Sequence, residues 1–159
     1  MGLYFSASWC IPCCLFTPKL AKVYEPLASK SDFEVIFISS DRDENSFKEY
    51  FSKMPWLSIP FADLETKKSL KKLFNVNGIP HLVVLDAKGK VSTEEGVDLV
   101  VEYGVDAYPF TSQQIQSLID KEAKKMNQTI SSLLGSTSRS YILTNDGNQV
   151  CELRSFDSM

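Results

Sequence analysis

Histidine is almost missing from this chain of 159 residues: there is one, His81. Cysteine is scarce, at four, and tryptophan scarcer, at two. Structural zinc takes four ligands, usually in two close pairs, and one imidazole with a few scattered thiols supplies them poorly. Four cysteines also fall short of a disulfide-stapled scaffold, and a chain that is 43% hydrophobic can bury a core without staples. Basic residues are not in surplus. Seventeen Lys and Arg against twenty Asp and Glu give a net charge of −3, so nothing favours a nucleic-acid or anionic-membrane partner. No apolar run reaches the roughly 20 residues that cross a bilayer. The first residues, MGLYFSASWC, have neither the basic start nor the long apolar stretch of a secretory signal. Unstapled thiols and no export signal point to a reducing compartment, the cytoplasm, with the nucleus also open.

Two short motifs carry little. MGLYFS fits the N-myristoylation pattern, but Gly2 to Ser6 reads as the start of a buried strand, which would hide an acyl chain. NQT at Asn127 to Thr129 fits the glycosylation triplet, and without an export signal it is read as chance.

What is present is concentrated in SASWCIPCC, Ser6 to Cys14. GLYFSAS, rich in apolar and aromatic residues, predicts a buried strand. Phe16, Leu20, Val23, Tyr24 and Leu27 then recur at helical steps, and Pro18 inside that run is expected to kink the helix. Cys10 therefore falls where a strand ends and a helix begins. Unpaired N–H groups and the positive end of the helix dipole there favour a thiolate, below the free pKa of about 8.5. Cys13 is one turn further and can swing toward Cys10. Pro12 stiffens the first turn at a position where an N–H would lack a partner. The pattern suits thiol–disulfide exchange: Cys10 attacks, a mixed disulfide forms, and Cys13 resolves it. Zinc competes weakly, because Cys14, Cys151 and His81 are scattered. Cys14 cannot comfortably pair with its neighbour Cys13 and reads first as a small apolar filler on the helix, with a secondary thiol for oxidation or glutathione capping as the alternative. Trp9 would shield one side of the site.

NGIPHLVV adds a second signal. Proline at the start of a buried strand removes a ladder donor. The dipeptide Ile79-Pro80 alone leaves cis and trans open; with Cys-x-x-Cys upstream, cis is favoured, with the Ile79 backbone free to pair with an extended substrate. His81 reads as a residue at the strand start rather than a base or ligand.

Further strands are expected over Phe33 to Ser40, Pro80 to Asp86 and from Val91. Helices are expected in DRDENSFKEYFSKM, ETKKSLKKLFNV and TSQQIQSLIDKEAKKM. Strands alternate with helices, then two strands come close together, so the fold class is α/β: a central mixed sheet flanked by helices. After Asn127 the composition turns serine-rich, with a hairpin signal at Asn145-Asp146-Gly147.

GLYFSASWCIPCCLFTPKLAKVYE, FEVIFISSDRDENSFKEYFSKMPWLSIPF, LFNVNGIPHLVVLDAKGKV and AYPFT together resemble a nucleoredoxin domain of the plant type, close also to tryparedoxin, in the thioredoxin-like superfamily. The likeness covers residues 2 to 126. It implies a thioredoxin-like fold and a protein-disulfide reductase, with Cys10 as nucleophile, Cys13 as resolving cysteine and Pro80 as the cis-proline. Trp9 and Trp56 match aromatic residues bordering the site, and Asp41 an acidic position after the central strand. Where the family often reads Cys-Pro-Pro-Cys-Arg, this chain has Ile11 and Cys14; the lost arginine removes a charge that would favour the thiolate. Tyr4 stands where ordinary thioredoxins carry a buried aspartate. The expected clients are proteins with disulfides. No bound cofactor is expected: with no dinucleotide-binding glycine pattern, electrons come from a separate NADPH-dependent reductase or a small thiol.

The resemblance also divides the chain. Residues 1–126 form the thioredoxin-like domain, lacking the family's usual N-terminal hairpin; residues 127–159 are a linker and hairpin tail that resemble the start of a following unit. The tail hairpin is expected to fold back on the sheet edge that the missing one would fill. Two other classes of function compete: a non-catalytic binding module using the Pro80 loop and the Trp9 and Trp56 surface, and a peroxidase-type thiol enzyme, for which no motif is present.

Overall fold

Strand β1, Gly2–Ser6, is buried along its whole length. The computed structural model describes residues 1–30, 33–134, 141–143 and 149–152. After β1 the order is α1 (Ile11–Ala28), β2 (Val35–Ser39), α2 (Glu44–Phe51), β3 (Leu57–Ser58), α3 (Leu64–Leu73), β4 (His81–Leu85), β5 (Val91–Thr93), α4 (Gly96–Tyr103) and α5 (Ser112–Leu134). Five strands form one sheet in the order β3-β2-β1-β4-β5. The β1–β2 and β2–β3 pairs are parallel, and β4 and β5 join antiparallel. This is the expected mixed sheet, with β1 at its centre, which is why β1 shows no polar face.

Alternate side chains of each strand feed two apolar layers. Tyr4, Phe37, Leu82 and Val84 pack with Phe16, Leu20, Val23 and Leu27 of α1, Phe47 and Tyr50 of α2, and Leu99 and Val100 of α4. Leu3, Phe5, Ile38, Val83 and Leu85 pack on the other face, against Leu70 of α3 and the following Phe74, Val76 and Ile79. Helix α1 continues through both Pro18 and Pro26 to Ala28.

Two elements differ from the sequence reading. Strand β3 is only two residues long, too short to show a period. Helix α4 is absent from the sequence reading because GVDLVVEY is only 8 residues long and dense in valine, a residue that favours strands. Tertiary contact decides its placement: a Cβ on Gly96 would stand 2.6 Å from the Leu82 carbonyl oxygen, so the helix start presses directly on β4.

The chain divides into two compact units, Met1–Ile115 and Gln116–Met159. Helix α5 runs past Met126, where a linker was expected, to Leu134. Met126, Ile130 and Leu134 keep a four-residue spacing, so the helical pattern outlasts the change in composition. Strands β6 (Tyr141–Leu143) and β7 (Gln149–Glu152) pair antiparallel, with Ile142 opposite Cys151. They form a two-stranded sheet of their own, and among the described residues the larger sheet consists of β1 to β5. The turn at Asn145-Asp146-Gly147 lies outside the described residues.

Candidate active site

The chain leaves β1 at Ser6, turns through Ala7–Trp9 and starts α1 with Cys10 as the N-cap, in extended conformation. The Cys10 sulfur takes the place of the usual capping oxygen. It accepts the Cys13 backbone N–H at 3.3 Å, one of the free donors of the first turn. Pro12 fills a first-turn position. Cys10 and Cys13 are disulfide-bonded, with Cα atoms 5.2 Å apart. Cys10 keeps 6% of its surface exposed and Cys13 none.

Strand β4 brings the second component. Its antiparallel register sets Phe5 opposite His81, so the start of β4 lies beside the end of β1. The Ile79–Pro80 bond is cis, the isomer the sequence favoured. The Ile79 carbonyl oxygen lies 3.6 Å from the Cys10 sulfur, although 69 positions separate them. His81 is the first residue of β4, as expected, with its ring 6.1 Å from that of Phe5.

Trp9 is 55% exposed and borders the site. Its Nε1 donates to the Ser40 carbonyl at 3.3 Å, and the Arg42 guanidinium lies 5.8 Å over its ring. Trp56 is elsewhere. It is 4% exposed and packs edge-on against Tyr4 and Tyr24, with ring centroids 6.1 and 5.5 Å away. A side chain enclosed in the core cannot touch a client, which corrects the surface role expected for Trp56. Cys14 is corrected in the opposite direction. It is an exposed free thiol rather than an apolar filler, the state that the alternative reading of a secondary thiol requires. Its Sγ donates to the Ser8 carbonyl at 3.2 Å and lines a groove of about 480 Å³ with Thr17, Pro18, Lys22, Tyr50 and Lys53.

Beneath the disulfide the structure reveals groups that no sequence period discloses. Tyr4 is fully buried, with its hydroxyl 2.9 Å from Thr17 Oγ1 and 3.4 Å from the Cys13 carbonyl. Thr17 Oγ1 also meets Tyr50 OH at 2.7 Å, and Tyr50 OH meets Ser6 Oγ at 3.0 Å. Burial pushes the Tyr4 phenol well above the ordinary tyrosine range, so it stays protonated. Asp41, flagged in the sequence as an acidic position, holds the redox loop. It accepts the Ser8 backbone N–H and the Ser39 hydroxyl, both at 2.7 Å. Cys151 lies in β7.

A family model described as thioredoxin-like matches residues 1–91. The chain is 49% identical over 151 residues to probable nucleoredoxin 1 of Arabidopsis thaliana, covering 94% of this chain and 26% of that protein. It is 38% identical over 130 residues to nucleoredoxin of Homo sapiens, covering 80% of this chain and 30% of that one. The chain thus spans about a quarter to a third of these curated relatives' length. Among solved structures, tryparedoxin from Trypanosoma brucei matches with a TM-score of 0.66 at 42% identity, covering 70% of this chain and 78% of that one. With a family model matched over more than half of its length, the chain belongs to the thioredoxin-like family, and it is similar to nucleoredoxins and tryparedoxins.

Proposed function

We propose that this chain reduces protein disulfides by dithiol exchange, and that residues 1–126 carry the activity. The observation that supports this most is the capping sulfur: Cys10 receives the Cys13 N–H at the start of α1 and is bonded to Cys13. In the reduced protein the same amide and the helix dipole favour the Cys10 thiolate. The burial difference supports the division of roles. Cys10 is the sulfur with some exposure, so it attacks, and Cys13, sealed beneath it, resolves.

Cys10 thiolate attacks one client sulfur, forms the mixed disulfide and releases the other client sulfur as a thiolate that takes up a proton. Cys13 loses its proton, attacks the Cys10 sulfur and releases the second client thiol. Two electrons pass to the client and the Cys10–Cys13 disulfide remains. Trp9 and the cis-Pro80 loop flank the client, whose extended segment pairs with the Ile79 backbone. A separate NADPH-dependent reductase or a small thiol then returns two electrons, and the chain itself holds no redox cofactor. No helix among the described residues is long and apolar enough to cross a membrane. The reading includes a reducing setting, the cytoplasm or nucleus, in which the dithiol form is regenerated.

Insulin reduction by dithiothreitol, with and without the protein, tests the activity. Acceleration that Cys10→Ser abolishes is expected, and equal rates overturn it. Cys13→Ser should accumulate mixed disulfides with clients and Cys10→Ser should not. The reverse pattern would exchange the two roles.

A further inference from the structure

The Trp9 side of the site is built by the segment Ser39–Arg42, which the exchange reaction itself does not use. Trp9 Nε1 is held by the Ser40 carbonyl, and the Arg42 guanidinium lies over the exposed ring, within the roughly 6 Å at which a cation is attracted to an indole face. A second cation reaches the same segment: Lys71 of α3 donates to Ser40 Oγ at 2.7 Å. Neither Arg42 nor Lys71 enters an ion pair among the described residues.

The acids nearby are occupied otherwise. Asp41 is buried and spends its oxygens on Ser8 N–H and Ser39 Oγ. Asp43 is exposed and caps α2, accepting Ser46 N–H and Oγ. Lys67, buried on α3, lies close enough to Lys71, Asp41 and Asp63 to feel all three, with its Nζ donating to the Phe61 carbonyl. Three cations, Arg42, Lys67 and Lys71, thus stand with three acids, Asp41, Asp43 and Asp63, but Asp63 caps α3 through the Thr66 N–H and its attraction, like that of Asp41, acts on the buried Lys67. The exposed end of this set is a guanidinium held by an aromatic ring, not by a carboxylate. A guanidinium drawn to a ring face rather than to a carboxylate keeps its planar N–H fork available to a ligand.

We propose that Trp9, Arg42 and Lys71 form a carboxylate-recognising flank that selects client disulfides with an Asp or Glu near the attacked cysteine. This rests on the reductase reading, because Trp9 stands next to Cys10 and a client seated on one is adjacent to the other. The flank adds no chemistry. It lowers KM for acidic clients and speeds their encounter through complementary charge.

Two peptides with one disulfide each, identical except for Glu or Gln two positions from the cysteine, test it. Reduction is followed under steady state with dithiothreitol as donor. At low salt the Glu peptide should show a kcat/KM about two- to fivefold higher, the scale of an exposed ion pair, expressed mainly in KM. The preference should fade at about 0.5 M salt. Arg42→Gln should abolish it and Arg42→Glu should invert it. Equal rates for both peptides at low salt, or a preference that survives Arg42→Glu, would overturn the proposal. If the wild-type protein reduced neither peptide, the reductase reading would fail, and this inference with it.

Discussion

Replacing Tyr4 by Phe removes one oxygen from beneath the redox helix and leaves the packing in place. The ring keeps its neighbours Phe16 and Trp56, at 5.6 and 6.1 Å between centroids. Thr17 Oγ1 still has the Cys13 carbonyl at 2.9 Å and Tyr50 OH at 2.7 Å, so no buried hydroxyl is orphaned. The cost near neutral pH is therefore one net hydrogen bond, about 1 kcal/mol. Alkali reverses the comparison. Burial raises the folded-state pKa of Tyr4 above its ordinary 10.0. A raised folded pKa means stability that is complete below the unfolded value and lost as pH climbs above it. Wild type should lose about 1.4 kcal/mol per pH unit beyond that value, and Tyr4→Phe has no such loss. Tyr24, also raised by burial, is present in both proteins and cancels. The two stability curves should therefore cross near pH 11 by this linkage slope, with wild type ahead below it and the variant ahead above. Urea unfolding in steps from about pH 8 to 11.5, with the disulfide intact in both proteins, measures this. Parallel curves over that range would mean that Tyr4 ionises freely in the folded protein, and would refute the buried hydroxyl network.

Two further substitutions probe placement. Gly96→Ala should lower stability by about 2–3 kcal/mol in thermal unfolding, because the Leu82 carbonyl oxygen is backbone and cannot swing aside; Gly78→Ala, with nothing within 4 Å, should be close to neutral. A mild effect at Gly96 would mean that α4 does not press on β4. Asp41→Ala should cost about 1–3 kcal/mol by stranding the Ser8 N–H and Ser39 hydroxyl, and should slow insulin reduction by loosening the Trp9 loop. Asp41→Asn, which retains an acceptor oxygen, should recover part of both, and failure to do so would place the importance of Asp41 in its charge.

The chemistry of the sulfur site was legible because its cause is local. A strand run ending at a helix start dictates where free N–H groups gather, and Cys10, Pro12 and Cys13 lie within one turn of that point. Trp56 was misplaced because an indole suits a site wall and a core equally well. Its burial follows from Tyr4 and Tyr24, one on a strand and the other on a helix, which no local pattern brings together. Cys14 was misread for a related reason: the side of α1 that is covered depends on what packs there, and a groove lies at that position. Arg42 and Lys71 had no signal beyond charge, since their meaning depends on Trp9 and Ser40 lying beside them.

Register links the local and non-local parts. Cys10 and the Ile79 carbonyl meet because β1 and β4 pair antiparallel with Phe5 opposite His81. A slip of one residue would send every β4 side chain to the opposite face. Leu82 and Val84 would leave the layer of α1 and α4, Val83 and Leu85 would leave that of α3, and Pro80 would shift along the strand away from the disulfide. Both faces of β4 are buried under different helices, so neither tolerates the exchange. The two apolar layers therefore fix the distance between a sulfur and a carbonyl 69 positions apart, and a core with no chemistry of its own sets the geometry in which the exchange can occur.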